Sequence, residues 1–226
     1  MRVPPSGWQD CGVSQSRWTV VVPVKPLTAA KSRLRGALPA VPHEELALAL
    51  AADTVRAVRA CPVVVEVVVV TDDPRVAAAV APARVLPDPP DAGLNAAFRH
   101  GASVAPGRWV AGLTADLPAL RPAELAAALH AARSGPTGVR HYVADTPGTG
   151  TVLLAAPPGV PLDPRFGTDS AAAHAASGAV ALTGDWPSLR RDVDTREDLA
   201  AATRLGLGPR TAALACAGCP AGAPAV

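Results

Sequence analysis

Lysine is almost missing from these 226 residues. Of 21 basic side chains only Lys25 and Lys31 are lysines, and the other nineteen are arginines. Aromatic residues are scarce too, at 3%, so any core has to be built from aliphatics. The 49% hydrophobic and 18% charged content supplies one and excludes wholesale disorder. No apolar run approaches the ~20 residues of a membrane-spanning helix. The opening MRVPPSGWQDCGVSQSRW has no continuous apolar stretch of the secretory-signal kind, so a cytoplasmic protein with no membrane association is expected. A net charge of +2 without a clustered basic stripe gives nucleic acid nothing to grip. Neither a Walker-type phosphate loop nor G-x-G-x-x-G occurs. There are four cysteines. Cys11 and Cys61 are isolated, while Cys216 and Cys219 form a C-x-x-C in a small-residue tail with no second ligand pair, which reads as incidental thiols.

What is present alternates. WTVVVPV (18–24) and VVVEVVVVTDD (63–73) are β-branched runs of the type buried on both faces of a sheet. Helical spacing follows each, in 44–61 and in PRVAAAVA. Further helices are expected at 93–105, 122–135 and 170–179, and strands at 108–116, in RHYVAD and in TVLLAAP. RRDVDTREDLAAATRLG (190–206) reads as a strand running into a last helix. This alternation predicts an α/β fold with one mostly parallel sheet and helices on both faces. Residues 1–16 and 211–226 read as flexible tails around a single domain at 17–210.

In such a sheet ligands bind at the carboxyl ends of the strands. The residues there are Lys25, Asp72, Asp73, Asp116 and Asp192. Lys25 and Lys31 share a loop with Arg33 and Arg35, four cations over eleven residues. Cations at one strand end and carboxylates at others suit a polyphosphate with its divalent metal. Some of these residues have plainer duties. Asp73 precedes Pro74 and a helix, as an N-cap does. Asp194 with Glu197 makes a capping-box pattern. Asp192, two residues earlier on the same strand face, has no such duty and is the better ligand. Ser170 heads a helix whose free N–H groups favour an anion, with Asp169 competing for the cap. Gly167 allows close backbone approach, or serves an ordinary turn. His174, one turn beyond Ser170, reads as a packed ring within reach of the same anion.

Several segments, in this order, resemble the guanylyltransferases of coenzyme F-420 biosynthesis. They are PVKPLTAAKSRL (23–34), TDD (71–73), GLNAA (93–97), ADLPAL (115–120), GTGTVLL (148–154), FGTDSAAAH (166–174) and DVDTREDL (192–199). The resemblance spans roughly 17–210 and is closest to the actinobacterial members that use phosphoenolpyruvate. It implies a nucleotidyltransferase fold of the GT-A-like kind. It also implies transfer of GMP from GTP to phosphoenolpyruvate, with pyrophosphate released. It assigns Thr151, Gly167 and Ser170 to the acceptor, Asp116 and Asp192 to two magnesium ions, Lys25, Lys31 and Arg33 to the triphosphate, and Asn95 to the nucleoside. A handover of product to the downstream deazaflavin transferase is implied as well. The same chemistry on 2-phospho-L-lactate is the neighbouring alternative, and a non-catalytic nucleotide-binding protein the distant one. Relatives acting on molybdopterin or sugar phosphates carry a glycine-rich first loop that 23–34 lacks.

Overall fold

Runs of valine set the centre of the sheet. A computed structural model describes residues 17–28, 34–38, 41–90 and 93–217. Its strands are β1 (Trp18–Pro23), β2 (Val64–Val70), β3 (Arg84–Leu86), β4 (Trp109–Leu113), β5 (His141–Ala144), β6 (Thr151–Ala156) and β7 (Val180–Ala181). They form one sheet in the order β3-β2-β1-β4-β6-β5-β7. β1 lies at the heart of it, buried at every residue and parallel to both β2 and β4. Its side chains alternate: Trp18, Val20 and Val22 enter one apolar cluster and Val21 the other. The first cluster is closed by α1 (His43–Arg59) and α4 (Pro122–Ser134), the second by α3 (Gly93–Ser103) and α5 (Ser170–Ala176). Helices therefore cover both faces, as expected.

The sheet is parallel except at β6, which runs antiparallel to β4 and to β5. Only residues 145–150 separate β5 from β6, and so short a connection can join only antiparallel neighbours. The reversal matters for the site. It brings the first residue of β6, Thr151, to the rim where β1, β2, β4 and β5 end.

The remaining helices are α2 (Pro74–Ala79), α6 (Pro187–Arg190), α7 (Arg196–Leu205) and α8 (Pro209–Ala217). Three local expectations are corrected. The segment 191–194 is not a strand: it links α6 to α7, and Val193 donates its N–H to the Asp116 carbonyl (3.0 Å) instead of to a ladder. The cap of α7 is Thr195 with Asp198, one residue beyond the expected Asp194 and Glu197. The Thr195 hydroxyl accepts from Asp198 N while the Asp198 carboxylate accepts from Thr195 N. Residues 211–217, read as tail, belong to α8, which packs on α1. There the buried Asp53 carboxylate accepts from the N–H groups of Arg210 and Thr211 at 3.2 and 2.7 Å. The rest of both tails, with Cys11 and Cys219, lies outside the described residues. No helix among the described residues is long and apolar enough to cross a membrane.

Candidate active site

The rim is built from short loops held by carboxylates. After β1 the chain turns outward at Lys25, an exposed side chain, and Leu27 N donates to Asp73 Oδ2 at 3.2 Å. Asp73 also caps α2, accepting from Arg75 N at 2.9 Å, so the expected N-cap doubles as a clasp on the first loop. Burial pushes its carboxyl up, but N–H bonds from Leu27, Arg75 and Val76 and the Arg75 charge outweigh that and leave it below the ordinary value. Asp72 accepts from Asp88 N at 3.0 Å. Burial raises the Asp88 carboxyl; Lys25 and His100 pull it down, and Asp72 pushes it up. Lys25, Asp72 and Asp88 thus share one side of the rim. Lys31 and Arg33 lie outside the described residues.

The middle of the rim carries Asp116. Thr114 N donates to Val152 O (3.0 Å), which joins the end of β4 to the start of β6. The bond from Val193 N to Asp116 O joins the same loop to the 191–194 segment. Asp116 and Asp192 are therefore neighbours through the backbone, although no strand carries Asp192. Among the described residues no group of three or more His, Cys, Asp or Glu is arranged to hold a metal. Two hard carboxylates suit magnesium nonetheless, because that ion keeps waters and takes its other ligands from substrate phosphates.

The third part is a corner made by residues 145–151 and 165–174. Asp145 closes its loop on itself, accepting from Gly148 N, Thr149 N and Gly150 N at 2.7, 3.0 and 2.9 Å. A Cβ at position 150 would collide with that carboxylate, so the second glycine of G-T-G-T is required by Asp145. Thr149 O then accepts from Ala171 N (3.0 Å), which fastens the loop to α5. Gly167 has φ +136°, open to glycine and little else, and its carbonyl accepts from Ser170 N at 3.2 Å. Asn95 reaches across to the same corner. Its amide donates to Phe166 O (3.0 Å) and accepts from Phe166 N (2.8 Å), so its carboxamide clamps the 165–167 segment. Two of the N–H groups expected to greet an anion at α5 are already used: those of Ser170 and Ala171 go to the Gly167 and Thr149 carbonyls. Asp169 sits at the cap position with φ 54° and makes no side-chain cap bond.

Thr151, Gly167 and Ser170 belong to one corner: Ser170 N donates to Gly167 O, and His174, one turn beyond Ser170, meets Thr151. The ring is wholly buried. Its Nδ1 lies 2.9 Å from Thr151 Oγ1, and its Nε2 accepts from Arg165 N at 2.9 Å. Burial holds its pKa down to about 4. Arg140 and Arg165 add to the depression, and the Ser170 carbonyl and Asp163 oppose it. Asp145 and the clamping role of Asn95 were not anticipated. The signal for Asp145 was there, since Asp shortly before glycines is the mark of a side chain bonding its own turn.

Residues 32–159 match the MobA-like NTP transferase domain. A phosphoenolpyruvate guanylyltransferase of Salinispora arenicola is 76% identical over 199 residues, covering 87% of this chain and 92% of that protein. The phosphoenolpyruvate guanylyltransferase of Geodermatophilus obscurus is 55% identical, covering 89% and 95%. Among solved structures, one described as a nucleotide-diphospho-sugar transferase from Desulfovibrio desulfuricans G20 superposes with a TM-score of 0.65. It covers 88% of this chain and 97% of its own at 16% identity, which bears on the fold alone. A one-sheet α/β nucleotidyltransferase with sequence identity this high over nearly its whole length belongs to the MobA-like NTP transferases and, within them, to the phosphoenolpyruvate guanylyltransferase family.

Proposed function

We propose that this enzyme transfers GMP from GTP to phosphoenolpyruvate in the cytoplasm, giving enolpyruvyl-diphospho-guanosine and pyrophosphate. The observation that carries the reading is the joining of the rim. The bonds Thr114–Val152 and Val193–Asp116 put the two candidate metal carboxylates beside the strand start that holds Thr151. Phosphoenolpyruvate is favoured over 2-phospho-L-lactate by the names of the relatives at 76% and 55% identity.

The chemistry asks little of the protein beyond placement and charge. An oxygen of the acceptor phosphate forms a bond to the α-phosphorus of GTP. The bond from that phosphorus to the bridging oxygen breaks, and its electron pair leaves with pyrophosphate. A phosphate dianion is nucleophilic near neutral pH, so no protein base is required. Thr151, Gly167 and Ser170 hold and orient the acceptor, and Asn95 and Asp145 keep their loops in place. Lys25, with Lys31 and Arg33, offsets charge on the departing pyrophosphate. Asp116 and Asp192 would hold magnesium, two ions by the family pattern, which when bound supplies charge neutralisation of phosphate oxygens. The labile product is then handed to a deazaflavin transferase.

The test is pyrophosphate release from GTP with phosphoenolpyruvate and, in parallel, with 2-phospho-L-lactate, with the downstream transferase present to draw off product. Release with phosphoenolpyruvate alone supports the reading. Preference for phospholactate changes the acceptor and keeps the rest, and release with neither overturns it.

A further inference from the structure

The reaction as written gives His174 no task, yet its ring is buried between the two segments that build the acceptor corner, with both nitrogens engaged. A backbone N–H can only donate. Arg165 N therefore requires the lone pair at Nε2, and in a neutral imidazole the proton is then on Nδ1. Thr151 Oγ1, 2.9 Å from Nδ1, must accept there. Its own O–H is consequently free to turn away from the ring. With the opposite tautomer the threonine would donate to the ring and present only lone pairs to an anionic acceptor, which repels it.

We propose that His174 is a positioning residue for acceptor binding: its Nδ1–H fixes the Thr151 hydroxyl as a donor aimed at a phosphate or carboxylate oxygen of the acceptor. The same ring tethers Arg165, next to the Phe166 that Asn95 clamps, so one side chain aligns both walls of the corner. The inference rests on the reading of Thr151 as an acceptor-binding residue.

Four proteins test it: wild type, Thr151→Val, His174→Gln and the double variant, with KM measured separately for phosphoenolpyruvate and for GTP. Glutamine can reach Arg165 N but offers no donor at the Nδ1 position. His174→Gln should raise the phosphoenolpyruvate KM about tenfold and leave the GTP KM within about twofold. Added to Thr151→Val, it should change the phosphoenolpyruvate KM by less than about twofold. His174→Asn, which restores a donor near Nδ1, should recover most of the loss. Unchanged KM in His174→Gln, equal rises for both substrates, or multiplying effects in the double variant would each overturn the proposal. Thr151→Val with unaltered phosphoenolpyruvate KM would instead remove the reading of Thr151 on which it stands. Nitrogen-15 spectra of histidine-labelled wild type need no variant to fold. A pyrrole-like Nδ1 and pyridine-like Nε2 support the mechanism, and the reverse overturns it.

Discussion

A carboxylate and its amide have nearly the same shape, so Asp116 and Asp192 can be stripped of charge with little effect on packing. One bond between their two segments is backbone, Val193 N to Asp116 O, and asparagine leaves it intact. Asp116→Asn and Asp192→Asn should each cut turnover by about a thousandfold or more, with melting temperature within about 3 °C of wild type. Near-normal pyrophosphate release in both variants would remove them from the metal site. Asn95 makes a contrasting case. Its two bonds to Phe166 are to backbone, and alanine would leave that N–H and C=O without partners at a half-buried loop. Asn95→Ala should cost about 1–3 kcal/mol in urea denaturation and raise the phosphoenolpyruvate KM more than the GTP KM. The reverse ranking of the two KM values would support the nucleoside role that the family resemblance implies for Asn95.

Elements with strong periodic patterns were legible from the sequence, and elements defined by a partner were not. The valine runs gave β1 and β2 because only a strand buried on both faces tolerates such a stretch. β3, three residues long, and α8, poor in charge contrast, exist through their neighbours. β3 pairs with the end of β2, and α8 is held by Asp53 some 157 residues earlier in the chain. No local signal encodes either. The same holds within the site. Lys25, Asp116, Thr151 and Gly167 sit at strand ends or special turns and could be picked out, whereas Asn95's clamp spans 71 residues and His174's bond to Thr151 spans 23. Asp192 was identified through a strand that does not form, and it reaches the rim by a different route. The shifted cap of α7 provides a measurement at this scale. Thr195→Ala removes the hydroxyl that accepts from Asp198 N and should cost about 1 kcal/mol by denaturant midpoint. Asp194→Ala should cost less than about 0.5 kcal/mol, because Asp194 is not the cap. Equal losses would put the cap back at Asp194.

At the scale of the whole molecule, acid should loosen this fold through histidine before carboxylates matter. His174 is buried with its pKa lowered to about 4, and burial lowers that of His141 as well. Both ring nitrogens of His141 lack a hydrogen-bond partner among the described residues. A histidine released on unfolding titrates near 6.5. Between that value and the folded one the unfolded chain binds more protons, so stability rises with pH across this range. Stability that is whole above about pH 6.5 is therefore lost progressively toward pH 4, on the order of 3 kcal/mol from His174 alone. The charges facing that ring, Arg140 and Arg165 against Asp163, favour the neutral form on balance. Asp88, with a raised carboxyl pKa, works in the opposite direction, while the lowered Asp73 withdraws its contribution only below its ordinary value of 3.8. Urea midpoints at pH 7.5, 6.5, 5.5 and 4.5 should fall steadily, with net proton uptake on unfolding in the lower half of the range. His141→Leu removes a buried titratable ring without breaking a hydrogen bond of the described structure, so it should flatten the slope without weakening the protein at pH 5. A midpoint that stays constant from pH 7.5 to 4.5 would mean that neither ring is held neutral by the fold. The donor assigned to Thr151, which depends on a neutral His174, would lose its footing with it.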